Sequence, residues 1–305
     1  MKDQADSLRK AIERIKHEKP NTTDLNSQFK KIQPAKVLTV TSGKGGVGKT
    51  NVSVNLAIAL SQKGYRVVLI DADFGLANIE VLLGVTPKYT FLDMIRGEKS
   101  IREVICDAPN NVKLISGASG IEEMARLDAE KISLLTAEFL ELDNEFDIII
   151  IDTAAGISDS VIGMTMAADE VILVTTPEPT SITDAYALVK TLAQRDRSKI
   201  IQLIVNRAED RNEAMNIISK LNQVALKFLD LELLKLGYIL NDPLVTKSVK
   251  QQVPFVVGFP NSRVTANISE IADRLLEDKS IHDSAAGKGL SGFIHKISKL
   301  INLQF

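Results

Sequence analysis

Between Ser42 and Thr50 the chain reads SGKGGVGKT, which puts Gly43, Gly48, Lys49 and Thr50 in the order G-x-x-x-x-G-K-[ST]. Glycines at this spacing permit a tight loop whose backbone N–H groups converge on phosphate oxygens. Gly45, Gly46, Val47 and Asn51 complete the candidate nucleotide cradle. Lys49 is expected to neutralise the β and γ phosphates, and the Thr50 hydroxyl to ligate Mg²⁺. One lysine suffices for that task, so Lys44 needs a separate explanation.

Acids at the ends of apolar runs are the next candidates. "NEFDIIIIDTAAG" ends a buried-strand pattern in Asp152, which suits a metal-coordinating carboxylate at the C-terminal edge of a parallel sheet. A plain strand-ending acid or helix cap is the alternative for the same residue. "RVVLIDADFGLAN" carries Asp71 and Asp73 two residues apart, so they point in opposite directions if the strand persists. One can face the phosphates while the other caps or braces; solvated loop acids are the competing reading.

These residues need a scaffold that brings strand ends together. "KVLTVTS", "RVVLID", "NVKLIS", "DIIIID", "EVILVT", "KIIQLIVN" and "KLGYIL" are short apolar runs alternating with longer amphipathic stretches. The pattern predicts a doubly wound α/β fold, with a mostly parallel sheet covered by helices on both faces. The loop sits between the strand "KVLTVTS" and the helix "TNVSVNLAIALSQKG", the context a phosphate loop requires. Residues 1–34 read as a flexible polar arm with a helix over about 3–15, residues 35–277 as the domain, 278–290 as a linker and 291–305 as a terminal amphipathic helix.

The 305 residues are 45% hydrophobic and 25% charged, with a formal net charge of −2, so composition does not favour nucleic acid as the main partner. A single cysteine, Cys106, cannot form an internal disulfide, and it reads as a small hydrophobe at a helix or strand edge. No run of 18 apolar residues and no leader pattern is evident, so the expected compartment is the cytoplasm. His17, His282 and His295 lack metal-ligand neighbours at i+3 or i+4 and read as solvent-facing.

"KGGVGKT", "DADFGLANIEVLLG" and "IIIIDTAAG" together resemble the deviant-Walker ATPases of the MinD and ParA group, over roughly residues 36 to 275. The resemblance implies an ATPase that uses ATP and Mg²⁺, releases ADP and forms a homodimer with ATP. It also implies roles: Lys44 as the signature lysine that reaches the partner's ATP, Asp73 as the acid that positions water, Asp71 as the acid near Mg²⁺, and Gly156 within the γ-phosphate switch. Asn206, just after a strand in "LIVNRAED", matches the family's adenine-binding amide, although a helix-start role is also open. Arg207 is expected to stack on the base, and Asp242 with Pro243 to close its other side. The residues after Asn206 lack the GTPase signature, which favours ATP.

Phe293, Ile294, Ile297, Leu300 and Ile301 share one helical face, with His295, Lys296 and Lys299 largely on the other. That pattern fits a peripheral anchor on an anionic membrane, so the ATP-bound protein is expected on the inner face of the cell membrane. A helix docked on the domain's own core or at a subunit interface has the same pattern. Near the other end, Asp3, Gln4, Ala5, Leu8 and Arg9 lie in "DQADSLRK", which resembles the activator motif of the FlhG group (also YlxH or FleN) of flagellar number regulators. This second resemblance implies stimulation of the SRP-type GTPase FlhF, with flagellar switch or C-ring proteins as further partners. A MinD-type division regulator and a DNA-associated ParA-type partition ATPase are the alternatives.

Overall fold

The structure, a computed structural model, describes residues 34–73, 78–117, 137–139, 142–143, 145–277 and 289–302, and of residues 291 and 298–302 the backbone alone. The chain divides into two units, Met1–Gln33 and Pro34–Phe305, and every described residue belongs to the second. Asp3, Gln4, Ala5, Leu8 and Arg9 lie outside the described residues.

Eight strands form one sheet: β1 (Lys36–Thr41), β2 (Val67–Ala72), β3 (Cys106–Asp107), β4 (Lys113–Ile115), β5 (Ile148–Thr153), β6 (Glu170–Thr175), β7 (Ile200–Ala208) and β8 (Leu233–Leu240). Their order is β3-β4-β2-β5-β1-β6-β7-β8, and only the β3–β4 pair is antiparallel. Ile148, Ile149, Ile150 and Ile151 are buried on both faces of the sheet, as a central parallel strand requires. All seven apolar runs are strands. Cys106 opens the short edge strand β3, where a helix or strand edge was expected, and is half-buried.

The helices follow the strands. They are α1 (Lys49–Gln62), α2 (Asn78–Leu83), α3 (Asp159–Ala167), α4 (Pro179–Arg195), α5 (Arg211–Leu229), α6 (Pro243–Gln251), α7 (Arg263–Glu277) and α8 (Gly289–Asn302), with short turns of helix at Phe91–Ile95, Ile101–Val104 and Phe255–Gly258. From β1 the chain moves to β2 on one side, and β5 later fills the gap between them. The C-terminal ends of β1, β2 and β5 therefore meet at a topological switch point, where open α/β sheets bind ligands.

The C-terminal helix begins earlier than the sequence reading placed it, and its apolar face takes the docked one of the two open alternatives. The helix starts at Gly289, inside the stretch read as linker. Its apolar face is also turned inward: Leu290, Phe293, Ile294 and Ile297 share one buried cluster with Val37, Ile149, Ile151 and Met164. The candidate anchor is thus docked on the domain's own core. Lys296, expected on the polar side, donates to the Ala167 carbonyl at 3.1 Å, while His295 is exposed. The side chains of Lys299, Leu300 and Ile301 are outside the described residues.

At the opposite end of the sheet from the loop, Lys36 pairs with Glu170 at 2.6 Å, and Gln202 donates to Glu170 at 2.6 Å. Both charged groups are buried, so each depends on the other to offset its desolvation. Lys36→Met should lower unfolding free energy by about 3–5 kcal/mol, because the buried Glu170 loses its paired cation. Lys36→Met with Glu170→Leu should recover most of that loss in urea denaturation.

Candidate functional site

The loop after β1 is built around positions that only glycine fits. Gly46 and Gly48 hold φ of 80° and 92°, in the left-handed region that L side chains rarely adopt. A Cβ on Gly43 would strike the Asp184 backbone in α4, and one on Gly48 the Asn206 amide. The loop can therefore lie close to both neighbours, and Gly48 opens α1 with its N-terminal N–H groups facing the loop's concavity. Lys49, in the first turn, is 7% exposed.

Asp152 stands where β5 ends, directly opposite Asp71 of β2 in the register. Its Oδ1 accepts from Ser53 Oγ at 2.8 Å, while its Oδ2 is buried without a protein donor. Burial pushes the Asp152 carboxyl above the usual range, and Lys49 with the hydroxyls of Thr50 and Ser53 pulls it back. Asp71 repeats the arrangement: Oδ1 accepts from the Asp73 N–H at 3.0 Å, and Oδ2 has no donor. Burial first, with the Asp152 charge adding to it, raises Asp71 to about 7. Asp73 lies just past the end of β2, less buried than Asp71.

Two buried carboxylate oxygens without donors, beside Thr50 and a buried lysine, fit a divalent cation in the cradle. Among the described residues no three carboxylate, imidazole or thiolate groups converge into a self-sufficient metal site. The cation must then take most of its ligands from phosphate and water, as Mg²⁺ does.

Lys44 faces a different set of groups. Its Nζ donates to Glu178 Oε2 and Thr180 Oγ1, each at 2.8 Å, at the start of α4. The pair is largely exposed, 37% and 55%, and the Lys44 ammonium holds the Glu178 carboxyl below its usual range. Such exposed pairs contribute little and exchange readily. Sequence reasoning missed Glu178 and Thr180, which sit more than 130 residues away from Lys44 along the chain. It also missed Ser53, for which the only sequence signal is its place one helical turn after Lys49.

Beside the loop a cavity of about 430 Å³ is lined by Gly48, Asn51, Asn206, Arg207, Asp242, Val245 and Thr246, among others. That volume lies within the roughly 300–1,000 Å³ typical of small-molecule sites. Asn206 is 8% exposed; its Nδ2 donates to the Val47 carbonyl at 2.7 Å and its Oδ1 accepts from the Arg207 N–H at 2.9 Å. One amide hydrogen and one lone pair remain for a base, so Asn206 braces the phosphate loop as well as lining the pocket. Arg207 has φ of 58°, a left-handed strain held at the pocket's edge. Asp242 caps α6 by accepting from the Leu244 N–H, which leaves Pro243 at the first helical position. The structure thus brings the loop, Asp71, Asp73, Asp152, Asn206, Arg207, Asp242 and Pro243 to one edge of the sheet.

The phosphate loop, the paired carboxylates and the adjoining cavity at one switch point define a P-loop nucleoside triphosphatase. Residues 33–276 match the family model described as "ParA: NUBPL iron-transfer P-loop NTPase". The chain is 43% identical to antiactivator FleN of Pseudomonas aeruginosa, with 81% of this chain and 89% of that protein covered. It is 35% identical to flagellum site-determining protein YlxH of Helicobacter pylori, covering 87% and 90% respectively. Among solved structures it resembles MinD of Pyrococcus horikoshii complexed with Mg-ADP, at a TM-score of 0.63 and 26% identity over 83% of this chain and all of that one. The chain belongs to the ParA/MinD family and is an ATPase.

Ser53→Ala should leave the fold intact but free the Asp152 carboxylate to turn. Loss of a hydrogen bond to a charged group is worth about 1.5–3 kcal/mol, so Mg²⁺ affinity in the presence of ADP should fall at least about tenfold. Ser53→Thr should restore it. Mn²⁺ binding followed by electron paramagnetic resonance, with ADP present, measures both.

Proposed function

We propose that this ATPase regulates flagellar number and placement as an ATP-dependent dimer on the inner face of the cell membrane, and stimulates an SRP-type GTPase of the FlhF kind through residues 3–15. The flagellar reading is supported by the similarity to FleN and YlxH across most of the chain. The observation that carries the dimer is the division of the two lysines. Lys49 is buried in its own cradle, whereas Lys44 stands at the surface on exchangeable partners.

On this reading two subunits close face to face, and Lys44 leaves Glu178 and Thr180 for the phosphates in the other subunit. Asp73 orients a water for in-line attack on the γ-phosphorus; the β–γ bridging bond breaks, and ADP and phosphate leave. Magnesium, when bound, neutralises charge on the phosphate oxygens, and Thr50, Asp152 and Asp71 are the residues that would hold it. Asn206, Arg207, Asp242 and Pro243 hold the adenine.

The docked α8 gives the membrane step its control. No helix among the described residues is long and apolar enough to cross a membrane, so attachment would be peripheral. Four large apolar side chains of α8 are buried, each worth about 1.5–3 kcal/mol when fully removed from water. Docking therefore competes with a bilayer on similar terms, and a modest change in the site behind α3 can decide between them. Two anchors on one dimer bind far better than one.

Gel filtration with ATP tests the cycle. Lys44→Ala should remain a monomer that does not hydrolyse ATP, and Asp73→Ala should accumulate as an ATP-bound dimer. Equal elution of both variants and the wild type would remove the scheme.

Two further measurements test the outputs. Flotation with anionic vesicles should require ATP and disappear when residues 292–305 are deleted. A peptide of residues 1–20 should accelerate GTP hydrolysis by an FlhF-type GTPase several-fold, and Gln4→Ala in the peptide should abolish the effect.

A further inference from the structure

The base pocket and the phosphate loop meet at one side chain, Asn206, and its setting explains how it faces both. Alternation along β7 places it on the face of Ile204, which packs against α1 behind the loop. Between Val205 and Ala208 the strand advances three residues while β8 advances two, from Tyr238 to Leu240, so β7 bulges at Asn206 and Arg207. Arg207, whose φ of 58° is left-handed, turns its N–H onto Asn206 Oδ1 at 2.9 Å. That bond settles which way the amide points. Nδ2 is left to face the loop, where it donates to the Val47 carbonyl at 2.7 Å. The approach is close, since a Cβ on Gly48 would strike the same nitrogen.

We propose that Asn206 is a positioning residue that couples the two halves of the site, so that a purine in the pocket tightens the loop's grip on the phosphates, an inference that rests on the adenine assignment made above. The C=O and N–H of a trans peptide point in opposite directions, so a fixed Val47 carbonyl also fixes the Gly48 N–H on the far side of that unit. Without a base, the amide is held by one hydrogen on Val47 and one lone pair on Arg207. A base that accepts the second hydrogen and donates to the second lone pair pins the amide from its remaining side and polarises the bond to Val47. Adenine offers that acceptor and donor side by side at N7 and N6. A purine with a carbonyl at C6 offers two acceptors and leaves Oδ1 unmatched. Base identity therefore reaches the loop, and it acts on kcat as well as on KM.

Adenosine and pyrophosphate, which carry base and phosphates without a covalent link, test the coupling on the full chain. By ³¹P NMR with Mg²⁺, saturating adenosine should tighten pyrophosphate binding to the wild type about fivefold. Asn206→Ala should weaken pyrophosphate binding at least about threefold in the absence of any base, because the Val47 carbonyl loses its donor. In the ATPase reaction, inosine triphosphate in place of ATP should lower kcat in the wild type, and Asn206→Ala should erase that difference. Pyrophosphate binding that ignores adenosine, pyrophosphate binding unchanged in Asn206→Ala, or equal kcat for the two triphosphates in the wild type would each overturn the inference. The two wild-type measurements need no variant, so they decide even if Asn206→Ala does not fold. Saturation-transfer NMR separates the coupling from its premise. Adenosine that binds without affecting pyrophosphate defeats the coupling and keeps the adenine assignment, whereas adenosine that does not bind defeats that assignment and the coupling with it.

Discussion

A carboxylate buried at the centre of the sheet, with one oxygen left without a donor, is the constraint on which the site depends. Asp152 is fully buried, its Oδ1 fixed by Ser53 and its Oδ2 left without a donor. A buried carboxylate is costly, and Lys49 with the hydroxyls of Thr50 and Ser53 offsets only part of that cost, which leaves a place for a further cation. The strand order follows from that need. With β5 between β1 and β2, Asp152 has the phosphate loop on one side and Asp71 on the other. The long isoleucine run of β5 supplies enough apolar burial to carry the acid at its end.

The same strand ends connect the phosphate loop to the distant face. The Gly156 N–H donates to the Ser42 carbonyl at 2.8 Å, and Thr153 Oγ1 donates to the Val40 carbonyl at 3.1 Å. Two residues after Gly156, Ser158 caps α3 by accepting from the Val161 N–H. A helix of nine residues spans about 13 Å, and α3 ends on the carbonyl that Lys296 of α8 engages. The contact of Gly156 with the loop and that of Lys296 of α8 thus lie at opposite ends of α3.

Much of this was legible in the sequence because it is local. Seven strands were readable from runs of valine, isoleucine and leucine, and the phosphate loop from contiguous glycines whose spacing is set by backbone geometry. Asp152 and Asp71 were readable because each ends such a run. Glu178, Thr180 and Ser53 were not, since nothing in their own neighbourhoods reports that the fold will bring Lys44 or Asp152 to them. The bracing role of Asn206 was hidden for the same reason: its partner, the Val47 carbonyl, is 159 residues away.

The docking of α8 was left as one of two open readings for a different reason. An apolar stripe at helical spacing states that a face avoids water, and it does not state whether protein or lipid will cover it. Phe293, Ile294 and Ile297 suit both, and so does Lys296, whose ammonium suits a helix C-terminus or an anionic headgroup equally. What distinguishes the two partners lies outside the helix, in Asp143 and the end of α3, which reward only the docked state. A terminal helix with this ambiguity is therefore suited to a switch. Its own sequence leaves both destinations open, and Asp143 with the end of α3 favours the docked one.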